Sequence, residues 1–283
     1  MSRRRRHSSS QRLTAVDTAQ DAALYDTQVV PRYSALFGRM LLRHVPTRER
    51  LQILDVGCGS GYPALEVLEQ LPSGGRVIAV DPDPELIDLA RRRALDDAGR
   101  RIFFKVESAD GLSFGDEVFD VAVANLALPS FQQPEIALAE IHRVLIPGGR
   151  LLLTQPLAGT FEEVFDMFRE VALKRDDQAL SQRIDRIAAR YPSPPTLEAV
   201  LLGAGFATVE LHTEEFQLPF GSAAEVFTDP LTRFVALPEW RWIAGFDEGG
   251  EAILGQVREH LETYFGGGPL SLRVHAGLAI ARA

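Results

Sequence analysis

The sequence predicts an α/β fold: a mostly parallel sheet covered by helices on both faces. Two observations predict it. From residue 51 short apolar runs alternate with helix-period stretches, and those runs are apolar throughout, as strands buried on both faces are. No internal repeat or independent second domain interrupts the series. A chain of 283 residues exceeds the common single-domain size, yet one α/β unit with added helices reaches it.

The elements follow in order. Residues 1–17 hold the run RRRR and few apolar groups, so they are expected to be a disordered basic tail. Residues 18–48 read as a helical cap of two pieces interrupted at Pro31, with Leu36, Phe37, Met40 and Leu41 on one stripe. Residues 49–283 read as the main domain. LQILDVG is a buried strand, PALEVLEQL a helix, RVIAVDP a second strand and ELIDLARRRALDDAG a helix closed by glycine. RIFFKVES and FDVAVANLAL are the third and fourth strands. PEIALAEIHRVL is a helix, and GRLLLTQP a fifth strand after the turn Pro147-Gly148-Gly149. The alternation then loosens into helical insertions at about 160–192 and 220–266. Between them lie the helix TLEAVLLGAGF, with its glycine stop, and the strand ATVELHTEEFQL. SLRVHAGLAIARA closes the chain as an alternating strand.

Composition narrows the class. Hydrophobic residues at 46% and charged residues at 24% suit a soluble globular protein, and no apolar run approaches the roughly 20 residues that cross a membrane. The N-terminus lacks the apolar stretch of a secretory signal, so a cytoplasmic protein is expected. Arg3, Arg4, Arg5, Arg6 and Arg12 contribute +5 to a net −9, so the rest of the chain carries −14 and repels phosphate backbones. No nucleic-acid partner is expected; a homodimer is compatible with the chain. Cys58 is the only cysteine, which excludes a disulfide framework or a cysteine metal cluster, and no metal site is expected.

The chemistry lies in LDVGCGSGYPALEV, residues 54–67, a strand, a bare turn and a helix start. Glycines let a ligand approach the backbone, and the helix start offers free N–H groups. Dinucleotides and S-adenosylmethionine both exploit such a loop. Gly57 and Gly59 fit the dinucleotide pattern G-x-G-x-x-G, but its last position holds Tyr62, and the third glycine comes early at Gly61. Asp55 stands where a pyrophosphate would bring negative charge, whereas a ligand carrying an ammonium group would welcome it. Asp81, ending the second strand about 20 residues on, suits a ribose diol. Asp110, in ESADG after the third strand, could accept an adenine amino group while the Ala109 N–H meets the ring.

These residues resemble the class I S-adenosylmethionine-dependent methyltransferases, in the branch acting on small molecules and similar to the ubiquinone/menaquinone-type enzymes. LDVGCGSG looks like that family's cofactor loop, and VIAVDPDPELIDLARRR like its ribose-binding acid and following helix. SADGLSFGDEVFDVAVANLAL resembles its adenine acid and fourth strand, and EIHRVLIPGGRLLLTQP its helix–turn–strand. The resemblance spans residues 51–156. It implies a Rossmann-like three-layer sandwich with a seven-stranded, mostly parallel sheet whose last strand is antiparallel. It further implies S-adenosylmethionine as cofactor. Gly57, Cys58, Gly59 and Gly61 would lie against the methionine part and Asp55 near its amino group. Asp81 would hold the ribose, Pro82 would flank adenine, Ala109 and Asp110 would read its edge, and Asn125 would point toward the sulfonium.

Methyl transfer from a sulfonium is an in-line displacement on an activated electrophile, so alignment and exclusion of water matter most. No general base stands out. Tyr25, Tyr33 and Asn125 are the candidates, because the N-terminal helices in this branch cover the active site. His142, His212 and His275 read as structural. The fourth strand ends Asn125-Leu126-Ala127-Leu128, not in the N/D-P-P-Y/F of nucleobase amino-methylating enzymes. The expected acceptor is therefore a small hydrophobic metabolite, aromatic, quinone-like or polyketide-like as in secondary metabolism, methylated on oxygen or carbon. Tyr33, Phe161, Phe227 and Trp240 are candidates for its pocket. A nicotinamide-dependent oxidoreductase and a non-catalytic cofactor-binding scaffold are the alternatives.

Overall fold

The computed structural model describes residues 18–283, and the predicted tail, residues 1–17, lies outside them. Seven strands form one sheet in the order β3-β2-β1-β4-β5-β7-β6. β1 (Gln52–Val56), β2 (Arg76–Asp81), β3 (Ile102–Val106), β4 (Phe119–Asn125) and β5 (Leu145–Pro156) run parallel. β7 (Leu270–Arg282) is antiparallel to both β5 and β6 (Thr208–Phe220). This is the expected mostly parallel sheet with an antiparallel last strand.

Side-chain alternation explains the layers. Ile53, Val121, Val123, Leu152 and Leu278 belong to the core on one face, while Leu54, Ala122, Ala124, Leu151, Leu153 and Ala279 belong to the other. The first face is covered by α2 (Ala35–Leu42), α3 (Ala64–Gln70) and α4 (Pro84–Arg93), through Phe37, Met40, Val67, Leu68 and Ile87. The second is covered by α5 (Pro134–Val144) and α8 (Pro194–Gly203), through Leu138, Ile141, Leu197 and Leu201. His142 packs edge-on against Phe206, with ring centroids 5.1 Å apart.

The insertions stack on the first face. α6 (Glu162–Arg175) and α7 (Gln178–Ala188) follow β5; α9 (Ala223–Val226), α10 (Pro230–Val235), α11 (Leu237–Ala244) and α12 (Glu248–Tyr264) separate β6 from β7. The N-terminal pieces do not break at Pro31. α1 (Ala19–Leu24) continues through a π-helical segment (Tyr25–Ser34) into α2, and Pro31 sits inside the wider turns of that segment. A wider turn displaces the carbonyl that would meet the proline ring, and so accommodates what an α-helix would not. Among the described residues no helix is long and apolar enough to cross a membrane.

Candidate functional site

Neighbouring strands whose helices depart to opposite faces leave a crevice at their carboxyl ends. In this sheet β1 and β4 are such a pair: β1 is followed by α3 on one face, and β4 by α5 on the other. The glycine loop begins at the end of β1. Gly57 (φ +75°) and Gly59 (φ +53°) adopt left-handed backbone that side chains rarely take. A Cβ on Gly57 would stand 2.5 Å from that of Ala127, so the loop can lie against the end of β4 only with glycine there. Above Gly59 nothing lies within 4 Å of a built Cβ, leaving room beside the backbone.

The loop is pinned to β2. The N–H groups of Gly57 and Cys58 donate to the Val80 carbonyl at 2.8 and 3.0 Å, and the Gly59 N–H donates to Asp81 Oδ2 at 2.9 Å. Asp81 Oδ1 accepts from the Asp83 N–H at 2.9 Å. Asp83 in turn caps α4 through the N–H groups of Glu85 and Leu86. Pro82, between the two acids, is exposed. The Glu107 N–H donates to the Asp81 carbonyl, which brings the segment of Ala109 and Asp110 beside β2. Ala109 is buried, and Asp110 Oδ1 is buried without a hydrogen-bond partner.

Asp55 is the electrostatic anomaly of this cradle. It is 0% exposed, and neither carboxylate oxygen receives a hydrogen bond of full geometry, the Ala64 N–H being the one donor near enough to help it. Burial, then the nearby Asp81 and Glu66 carboxylates, push its pKa well above the ordinary range, with weak compensation from the Ala64 N–H. A buried anion without a partner is costly, so the site is incomplete as it stands. Cys58 is also buried, and its thiol is pushed up by burial and by the Asp55 charge, the reverse of what a nucleophile needs.

The N-terminal cap closes over this loop. Asp26 accepts from Ser60 Oγ at 2.6 Å and from Arg93 Nη1 at 2.6 Å, tying the π segment to the loop and to α4. Tyr25 is half-buried, and its phenol is pushed up by burial and by the nearby Asp81 charge. Asn125 lies at the end of β4, but its side chain is committed. Nδ2 donates to the Ser34 carbonyl at 3.2 Å, and Oδ1 accepts from Thr154 Oγ1 at 2.7 Å. Asn125 thereby ties the cap to the sheet. Leu126, next along, holds a positive φ of 59° at the mouth of the crevice.

The expected pocket aromatics form a connected group. Tyr33 stacks on Phe161 at 6.4 Å between centroids, Phe161 meets Trp240 edge-on at 5.9 Å, and Phe227 lies 5.5 Å from Trp240. Phe234 meets Tyr25 edge-on at 5.7 Å. Trp242, two residues beyond Trp240, turns to Arg186 of α7 at 5.6 Å, and Phe246 is 81% exposed. Sequence reasoning missed one polar group in this surround. Glu239 is buried and accepts from Tyr191 Oη at 2.7 Å, while Arg190 Nε stands 3.1 Å from its other oxygen. Its only signal was an acid between apolar residues in LPEWRW.

Comparison with known proteins agrees with this architecture. The family described as "Methyltransferase domain" matches residues 54–153. A demethylmenaquinone methyltransferase of Thermus thermophilus is 30% identical over 205 residues, covering 64% of this chain and 90% of that protein. A ubiquinone/menaquinone biosynthesis C-methyltransferase of a Geobacter species is 26% identical over 202 residues, covering 64% and 86%. Among solved structures, the YcgJ protein of Bacillus subtilis superposes with a TM-score of 0.57 at 18% identity, covering 88% of this chain and 98% of that one. At that identity the likeness shows the fold alone. A nicotinamide oxidoreductase and a non-catalytic scaffold both fall away. The chain belongs to the class I S-adenosylmethionine-dependent methyltransferases, and S-adenosylmethionine is its methyl donor.

Proposed function

We propose that the crevice between β1 and β4 holds the methyl donor, and that the acceptor is a hydroxylated aromatic of the quinol type, methylated on oxygen or a ring carbon. The observation that carries the donor half is Asp55, a fully buried carboxylate with no cation or side-chain donor against it among the described residues, beside a loop with open space over Gly59. An ammonium group supplies what that carboxylate lacks, and a pyrophosphate would worsen it. Asp81 would take the ribose hydroxyls, with Pro82 at the exposed edge of adenine. The buried, unpartnered oxygen of Asp110 and the Ala109 N–H suit the adenine edge. When bound, the donor supplies an activated methyl group on a positively charged sulfur.

This chain's own residues then hold the acceptor in line and keep water out. The cap, fixed by Asp26 to Ser60 and by Asn125 to Ser34, covers one side. Tyr33, Phe161, Phe227 and Trp240 offer aromatic faces, which favour a flat apolar acceptor. The names of the relatives support a quinone-type acceptor. The −14 charge outside the basic tail argues against nucleic acid, and the sole cysteine suits the cytoplasm.

The test is incubation of the full chain with methyl-labelled S-adenosylmethionine and either reduced 1,4-naphthoquinone or an extract of the source organism. Label in a small aromatic product supports the reading. Label only in protein or nucleic acid, or tighter binding of NAD than of S-adenosylmethionine, overturns it.

A further inference from the structure

Glu239 lies on α11, and its partners come from the segment that follows α7. Tyr191 donates to Oε2 at 2.7 Å, and Arg190 approaches Oε1 at 3.1 Å. Arg190 also donates through Nη2 to the Pro129 carbonyl at 3.2 Å, in the turn just beyond the end of β4. The carboxylate is therefore held beside the segment that leaves the crevice. Tyr33, near enough for the Glu239 charge to help burial push its phenol up, faces it from the π segment, and Tyr25 continues the polar line toward Asp81. Next to Glu239, Trp240 stands 0% exposed with its indole N–H unpartnered, in contact with Phe161 and Phe227. A buried donor without an acceptor is a costly feature that a ligand oxygen would satisfy.

No histidine among the described residues serves this place. His44, in the turn after α2, lies against His212 of β6 with ring centroids 4.8 Å apart, and His142 packs on Phe206. His260 lies between Lys174 and Glu170, and His275 faces Glu215.

We propose that Glu239, steadied by Tyr191 and Arg190, is the base that takes the proton from the acceptor's hydroxyl, while the Trp240 N–H holds an acceptor oxygen. The assignment rests on the quinol-type acceptor proposed above. The O–H bond breaks and its proton passes to the Glu239 carboxylate. The electron pair left on oxygen, or delocalised onto the adjacent ring carbon, forms the bond to the methyl carbon. The methyl–sulfur bond breaks with its pair remaining on sulfur, which loses its positive charge. On the carbon route the ring proton then passes to water, the Glu239 carboxyl returns its proton to the ring oxygen, and aromaticity returns. No electron leaves the pair of substrates, so the acceptor must already be at the quinol oxidation level when it binds.

Burial raises the pKa of Glu239, while the Tyr191 hydrogen bond and the Arg190 charge hold it down. The acid limb of the activity profile thus reports Glu239, and loss of the Tyr191 hydroxyl moves that limb to higher pH. The experiment follows methyl transfer from labelled S-adenosylmethionine to anaerobically reduced 1,4-naphthoquinone against pH, with donor affinity by calorimetry and thermal melting as controls. Glu239→Gln is expected to lower kcat about 100-fold or more. Its donor affinity stays within about twofold of the wild type, since the residue lies outside the cradle. The deficit should shrink as the pH nears the hydroxyl's own ionisation, a rescue that a merely structural residue would not show. Tyr191→Phe, which removes one oxygen, should shift the acid limb upward, and it carries the test if Glu239→Gln does not fold. Turnover by Glu239→Gln within about threefold of wild type, or a loss independent of pH, overturns the assignment alone. A wild type that binds the donor but transfers nothing to the probe overturns the acceptor reading, and this assignment with it.

Discussion

The donor cradle and the acceptor surround treat buried charge in opposite ways. The cradle comes from strand ends and one loop within residues 55–110, and it leaves carboxylate oxygens of Asp55 and Asp110 unpartnered. The surround comes from the cap, α6, the segment after α7 and α9–α11, and its acids are paired. Asp26 meets Ser60 and Arg93, Asp229 meets Arg32, and Glu239 meets Tyr191 and Arg190. A site for a charged ligand gives up folding stability to keep a counter-charge ready. A site for an uncharged ligand is assembled by packing and fastened by ion pairs. Donor binding should therefore depend on the Asp55 charge and little on the ion pairs of the surround, and acceptor binding the reverse.

The largest expected effect is at the charge. Asp55→Asn should weaken S-adenosylmethionine binding by about 2–5 kcal/mol, the usual loss when one partner of a buried charge pair goes. The same change should raise the melting temperature of the ligand-free protein. Equal affinity of both proteins by calorimetry would erase the contrast between the two regions.

Next is the backbone. Gly57→Ala puts a side chain at φ +75° and against Ala127, so a loss of about 1–3 kcal/mol in denaturant unfolding is expected. Gly59→Ala has open space around it and should cost less stability while still obstructing the donor.

A smaller effect concerns pH. Asp55, Glu66 and Glu239 all have raised pKa values, with burial as the main cause. Between the ordinary carboxylate value and each raised one, the folded protein keeps a proton that the unfolded chain has lost. Stability of the ligand-free protein therefore falls as pH rises through that window. Glu107 and Glu140, lowered by their Lys105 and Arg143 partners, act in the opposite sense but only below the ordinary value. Thermal melts at pH 5 and pH 7.5 should show the decline, and Asp55→Asn should flatten it.

The smallest effect is at the clasp. Arg32 forks onto Asp229 at 2.8 and 2.9 Å, joining the π segment to α10, where Asp229 also caps the helix through the Leu231 N–H. Arg32 is partly exposed, so Arg32→Ala should cost about 1 kcal/mol or less. It should raise the acceptor KM a few-fold and leave donor affinity unchanged.

The two regions also differ in how far the sequence announces them. Asp55 and Gly57 follow from local geometry, because a strand, a turn and a helix start within a dozen residues leave few ways to place them, and Asp81 follows from the end of the next strand. Most of the sheet was legible too, since β1, β2, β4 and β5 are largely apolar runs and β7 alternates. The surround was not. Trp240 and Trp242 are two residues apart on one short helix, and only packing sends one inward to Phe161 and the other toward Arg186. Glu239 gains its meaning from Tyr191, 48 residues away. Asn125 was read as facing the sulfonium, yet its hydrogen bonds go to Ser34 and Thr154, a commitment that depends on where the cap lies. Pro31 was read as a break because the α-helix forbids it, and a π-helical segment absorbs it.

The most direct test separates the ammonium from the rest of the donor. S-adenosylhomocysteine and 5′-methylthioadenosine share the nucleoside and the thioether, and only the first carries the amino-acid arm. Calorimetric affinities for both, on wild type and Asp55→Asn, form a double-mutant cycle. The account predicts that wild type prefers S-adenosylhomocysteine strongly, and that Asp55→Asn loses most of that preference while binding 5′-methylthioadenosine as before. An equal loss for both ligands, or an unchanged preference, would contradict it.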